Sequence, residues 1–147
     1  MSASPAQDFE FVEGATSDLS FVARGRSPED LFRAAAEAFL AATLEEPGPL
    51  AADERRRLDL AEPDLDLLLL RFVNELVYLR DAEELLLRPE HLCVEQGDEA
   101  RLRAELAGER IDRDRHRLLA DVKAATAHGL RVAHTDAGWE AHVTLDV

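Results

Sequence analysis

Residues 65 to 79 place the strongest constraint on the fold. Leu65, Leu68, Leu69, Phe72, Val73, Leu76 and Leu79 recur at helical spacing. Glu62-Pro63-Asp64 just before them reads as a helix start. A helix this apolar must be covered, and the segments around it alternate with the period of strands, so it is expected to pack centrally against a sheet. A second helix begins at Ser27-Pro28-Glu29-Asp30. Serine can cap the free amides, proline suits the first helical position, and the acids favour the positive end. Leu31, Phe32, Ala35, Ala36, Phe39 and Leu40 form its apolar stripe, and Glu45-Glu46-Pro47-Gly48-Pro49 stops it near Leu44.

The remaining segments read as strands. Residues 8–12 form a short one. Residues 18–24 follow, with Leu19, Phe21 and Ala23 on one face and Asp18 and Ser20 on the other. Further strands are expected near 55–60, 85–87, 91–95, 101–106, 118–125, 130–134 and 139–147, with a mixed-charge loop over 108–117. The expected fold class is α+β: a single-domain two-layer sandwich with two main helices packed on one face of a mostly antiparallel or mixed β-sheet. Residues 1–7 read as a disordered lead, and residues 8–147 as the domain.

Length and composition fit one globular domain: 147 residues, 46% apolar and 33% charged. No apolar run is long enough to span a membrane, the N-terminus lacks the regions of a signal peptide, and the single cysteine, Cys93, suits the cytoplasm. The net charge of −14, from 31 acids and 17 bases, argues against unassisted binding to phosphate backbones. It favours a basic partner or a bound metal cation.

Two stretches carry candidate chemistry. Asp121 to Leu130 holds the only lysine of the chain, Lys123, near the end of what reads as a central strand; the other 16 cations are arginines. A lysine is a flexible point charge that burial tunes easily, although a snorkelling surface lysine is the plainer reading. In the last strand Trp139, Ala141, Val143 and Leu145 are expected to face the helices, which turns Asp146 outward beside the carboxylate of Val147. Asp18 offers a third carboxylate if the first hairpin lies nearby. Hard oxygen ligands of this kind suit calcium, magnesium or manganese; the plainer reading is a frayed, solvated terminus. Cys93 reads as a small core residue. The five histidines make no metalloprotease spacing, and there is no nucleophile elbow and no glycine-rich phosphate loop.

Several short pieces, in order and over nearly all of residues 8–147, give a specific resemblance. Glu13-Gly14-Ala15-Thr16-Ser17-Asp18 is similar to a Glu-His-Thr-Ala-Asp turn, and Gly25 precedes a Leu31-Phe32 helix. Phe72-Val73-Asn74-Glu75-Leu76-Val77-Tyr78-Leu79 looks like a Trp-Leu-Asn-Glu-Leu-Leu-Tyr-Leu helix. Asp121-Val122-Lys123-Ala124-Ala125-Thr126-Ala127-His128 is similar to an Ile-Lys-Ala-Val-Thr-Tyr-His strand, and Gly138-Trp139 and Leu145-Asp146-Val147 complete the pattern. The chain thereby resembles the archease family, small acidic proteins that work with the GTP-dependent tRNA-splicing RNA ligase.

The resemblance implies a divalent metal ion, calcium in the first place, held by Asp18, Asp146 and Val147, with Lys123 as the partner-activating residue. It implies a protein that promotes guanylylation and multiple turnover of the ligase without being a catalyst itself, meeting RNA only indirectly, in the cytoplasm and off the membrane. Two positions depart from the family pattern: the turn histidine is Ala15 here, and the tyrosine after Thr126 is Ala127. A general chaperone or modulator of other cytoplasmic proteins is the alternative, and a stand-alone metal-dependent hydrolase using the three carboxylates a third reading.

Overall fold

In a computed structural model of the chain the described residues are 8–12, 18–119 and 121–147. The lead expected over 1–7 and the turn at 13–17 lie outside them. In chain order the elements are β1 (Phe9–Val12), β2 (Leu19–Gly25), α1 (Pro28–Thr43), β3 (Glu54–Glu62), α2 (Leu65–Glu83), β4 (Leu85–Gln96), β5 (Ala100–Arg110), β6 (Ala124–Thr135) and β7 (Gly138–Asp146). The α+β class with two main helices is what forms. The strands divide between two antiparallel sheets, one of four in the order β1-β2-β7-β6 and one of three in the order β3-β5-β4.

Both helices start where the sequence places them. Ser27 Oγ accepts from the Asp30 amide at 3.1 Å, and Asp64 Oδ1 from the Leu67 amide at 2.9 Å. One buried cluster joins Phe21, Val143 and Leu145 of the larger sheet, Leu58, Leu102 and Leu106 of the smaller, and the apolar stripes of both helices. Phe32 of α1 meets Phe72 of α2 with ring centroids 5.5 Å apart. At Gly25 the end of β2 passes so close to α1 that a Cβ would lie 2.4 Å from the Leu31 nitrogen, so only glycine fits.

Four expectations are corrected. The short strands at 85–87 and 91–95 are one strand, β4, with a bulge between Pro89 and His91. The bulge inverts the alternation: Leu85 and Leu87 face the core before it, Leu92 and Val94 pack inward after it. Cys93 is therefore turned out and exposed, not a core residue. The strands expected at 118–125 and 130–134 merge into β6, which starts only at Ala124 and is irregular between Thr126 and Arg131, where Gly129 has φ +68°. Lys123 thus precedes β6, and β6 is an edge strand, not a central one.

The expected loop after β5 folds back onto a buried carboxylate. Glu109 accepts from the Ala51 amide at 2.8 Å, from Arg115 Nη2 at 2.6 Å and from His116 Nε2 at 2.6 Å. The Asp112 amide donates to the other ring nitrogen of His116 at 2.8 Å. Burial alone would raise the Glu109 pKa, but the Ala51 amide, the His116 hydrogen bond and the Arg115 charge outweigh it and hold the carboxyl below its ordinary value. At the far end of α2, Glu84 closes the helix with φ 56° and ψ 42°, the one non-glycine residue at positive φ among the described residues.

Two predictions follow from this framework. With its folded pKa below the ordinary value of 4.5, the Glu109 carboxylate binds fewer protons folded than unfolded. Its contribution is therefore present above that value and lost as pH falls through the lowered folded pKa. The stability difference between wild type and Glu109→Gln, from denaturant melts at several pH values, should shrink with acidification over that window; a constant difference would contradict the assignment. Glu84→Gly should stabilise the fold by about 1 kcal/mol, because glycine takes the left-handed cap without strain, and thermal unfolding reads this directly.

Candidate functional site

The pairing of β2 with β7, residues distant in sequence, builds the candidate corner. Their register runs from Gly25 opposite Trp139 to Leu19 opposite Leu145. Ser20 and Thr144 lie directly opposite on the face away from the helices, with their hydroxyls 3.0 Å apart and both side chains buried. Asp18 directly precedes Leu19 and Asp146 directly follows Leu145, so both lie at the same end of this pairing. Both are partly buried.

Val147 follows directly, and its side chain packs against the core. That anchors the residue beside Asp146. Lys123 completes the corner on the other flank of β7: its amide donates to the Asp146 carbonyl at 2.8 Å, and its side chain is exposed. The structure therefore brings Asp18, Asp146, Val147 and Lys123 to one end of the larger sheet. Oxygen donors from the Asp18 and Asp146 carboxylates have the hardness that calcium or magnesium needs. Among the described residues no three His, Cys, Asp or Glu side chains form a metal-binding group.

Sequence reasoning missed the residues that hold this corner in place. As the last strand of its sheet, β6 has a free edge, and α2 lies along it. Asp66 Oδ2 accepts from the Val132 amide at 3.0 Å. Asn74 grips Ala125 twice, donating to its carbonyl at 3.0 Å and accepting from its amide at 2.8 Å. Arg80, only 6% exposed, donates to the Val122 carbonyl and lies 5.6 Å over the Phe39 ring. Lys123 is thus fixed between two clamped residues. The available signal was a polar Asn74 and a cationic Arg80 inside the apolar run of α2.

The fold and corner define a class: a small two-sheet α+β protein with an acidic strand-end site. The comparisons with known proteins are more specific. The model of the archease protein family (MTH1598/TM1083) matches residues 9–147. The archease of Methanosarcina acetivorans is 30% identical, covering 98% of this chain and 99% of its own, and that of Archaeoglobus fulgidus 31% identical, covering 95% and 98%. In structure the chain is similar to protein 1598 of Methanobacterium thermoautotrophicum, with TM-score 0.81, 29% identity and 95% and 99% of the two chains covered. It shares the fold of a Thermotoga maritima protein described as an archease and possible chaperone, with TM-score 0.63, 18% identity and coverage of 92% and 95%. The chain belongs to the archease family. No helix is long and apolar enough to cross a membrane among the described residues.

Asn74→Ala should cost about 1–3 kcal/mol by leaving the Ala125 amide and carbonyl without their partner. Its signature is faster hydrogen exchange at Ala125 together with a lower Tm. Unchanged exchange at that amide would show that the clamp does not operate in solution.

Proposed function

We propose that this chain is a protein cofactor of the GTP-dependent tRNA-splicing RNA ligase, promoting the ligase's guanylylation and multiple turnover, and not itself a catalyst. The observation that carries the reading is the meeting of Asp18 and Asp146 with Lys123 at one strand-end corner, in a chain of the archease family. Asp18, Asp146 and the carboxylate of Val147 would hold a divalent ion, calcium in the first place. When bound, that ion supplies a hard, oxygen-seeking positive centre at the corner. The acidic surface presents the corner to the basic, RNA-binding face of the ligase and away from RNA itself, in the cytoplasm. Lys123, its backbone bonded to the Asp146 carbonyl, would offer its exposed ammonium to the partner.

The test is a guanylylation and multiple-turnover ligation assay with the same organism's ligase. Wild type should stimulate both steps. Asp146→Ala or Lys123→Ala should lose at least about tenfold of the stimulation, the scale of one charge-assisted contact, with circular dichroism melts unchanged. Full stimulation by both variants would refute the site.

A second reading, a general chaperone, is favoured by the exposed Phe11, Leu67, Tyr78, Leu118 and Leu119. Suppression of aggregation of unrelated clients, unaffected by Asp146→Ala, would select it.

A further inference from the structure

A cavity of about 480 Å³ opens where both helices end. Thr43, the last residue of α1, lines it, as do Asp81 in the last turn of α2 and Glu84 at its close. Two helix C-termini therefore turn their partial negative charge toward one space. Asp121 adds a third carboxylate. Of the two guanidiniums in the wall, Arg80 is already satisfied. It bonds Asp81 Oδ1 at 3.0 and 2.7 Å and Asp121 Oδ1 at 3.3 Å, besides the Val122 carbonyl. Arg113 is left with Glu84, and the wall as a whole holds three carboxylates against two guanidiniums.

The apolar part of the wall is exposed although its backbone is fixed. Leu118 bridges Leu44, and the Leu119 amide donates to the Thr43 carbonyl at 2.8 Å. Yet the two leucines are 38% and 51% exposed. They are two of the five large apolar side chains exposed among the described residues, and Tyr78, a third, lies one helical turn before Asp81. Glu84, at the close of α2, is held in the left-handed conformation, where glycine would be less strained.

We propose that this cavity docks an arginine of a partner protein, flanked by leucine-like side chains. The guanidinium fork matches carboxylates at two points, and its flat faces tolerate apolar neighbours. The leucines of the segment cover Leu118 and Leu119. The volume lies in the range of ordinary ligand pockets, and the chain's charge of −14 draws a basic segment in. A phosphate meets a wall with more carboxylates than guanidiniums. The cavity is separate from the Asp18–Asp146 corner but joined to it through Asp121, Val122 and Lys123, so one partner can span both.

The probe is a capped Ser-Leu-Arg-Leu-Ser peptide, with a citrulline analogue of equal shape and no charge, titrated into the full chain and followed by amide NMR. The arginine peptide should shift Glu84, Leu118, Leu119 and Asp121, and the citrulline peptide should bind at least about tenfold more weakly. Glu84→Gln and Asp121→Asn should each weaken binding by about tenfold. Glu84→Gly should weaken it equally while raising Tm, which a purely structural role for Glu84 does not allow. Asp146→Asn should leave the affinity unchanged, so this result stands or falls apart from the ligase reading. Equal binding of the citrulline peptide, shifts confined to other residues, stronger binding of a glutamate peptide or an oligonucleotide, or self-association through these leucines would each overturn the proposal.

Discussion

The structure depends on the double use of helix α2. One side of it supplies Leu68, Leu69, Phe72 and Val73 to the core; another closes the free edge of β6 through Asp66, Asn74 and Arg80. An open strand edge is a row of unpaired amides and carbonyls that invites association with other chains. Here side chains take the place of a fifth strand. Because the three contacts run antiparallel to β6, from Val132 to Val122, they set the position of the helix along the sheet and of the sheet end along the helix. The strand-end corner inherits its geometry from that docking.

What the sequence made legible was local. Ser27, Pro28 and Asp64 marked both helix starts because capping chemistry acts over three residues. The outward parity of Asp18, Ser20 and Asp146 followed from alternation within single strands. Strand interruptions were not legible. The bulge after Pro89 needs knowledge of the partner strand, since it arises where one extra β4 residue faces β5; without it Cys93 shares the parity of Leu85 and Leu87 and falls in the core. The same holds for β6, whose irregular stretch at 127–130 is anchored by His142 Nδ1, 3.0 Å from the Gly129 carbonyl. The adjacency of β2 and β7 was beyond local pattern, and only the family resemblance put Asp18 with Asp146.

Residues 118–123 show why such a reading fails where tertiary contacts decide. Leu118 to Ala125 alternates passably, yet Leu119 is bonded to the end of α1 and Val122 is held by Arg80. Val122 is fully buried and Lys123 exposed. The segment is a strap tying the two helix ends to the corner, and strand propensity is overridden by these anchors.

Two locally unfavourable choices fall near the Asp18–Asp146 corner: a glutamate in the left-handed conformation at Glu84, and leucines left in water at 118 and 119. Elsewhere among the described residues Phe11 and Leu67 are exposed as well, but the chain is otherwise locally consistent. Its outer strand faces pair opposite charges, as in Glu10–Arg24–Glu140 at 2.8 and 3.1 Å, and the described residues contain no buried side-chain polar atom without a hydrogen-bond partner. Departures from consistency at a surface point to a use other than stability. The bonds of Leu119 to Thr43, of Val122 to Arg80 and of Lys123 to Asp146 tie the helix ends to the corner, so the two are mechanically one end of the molecule.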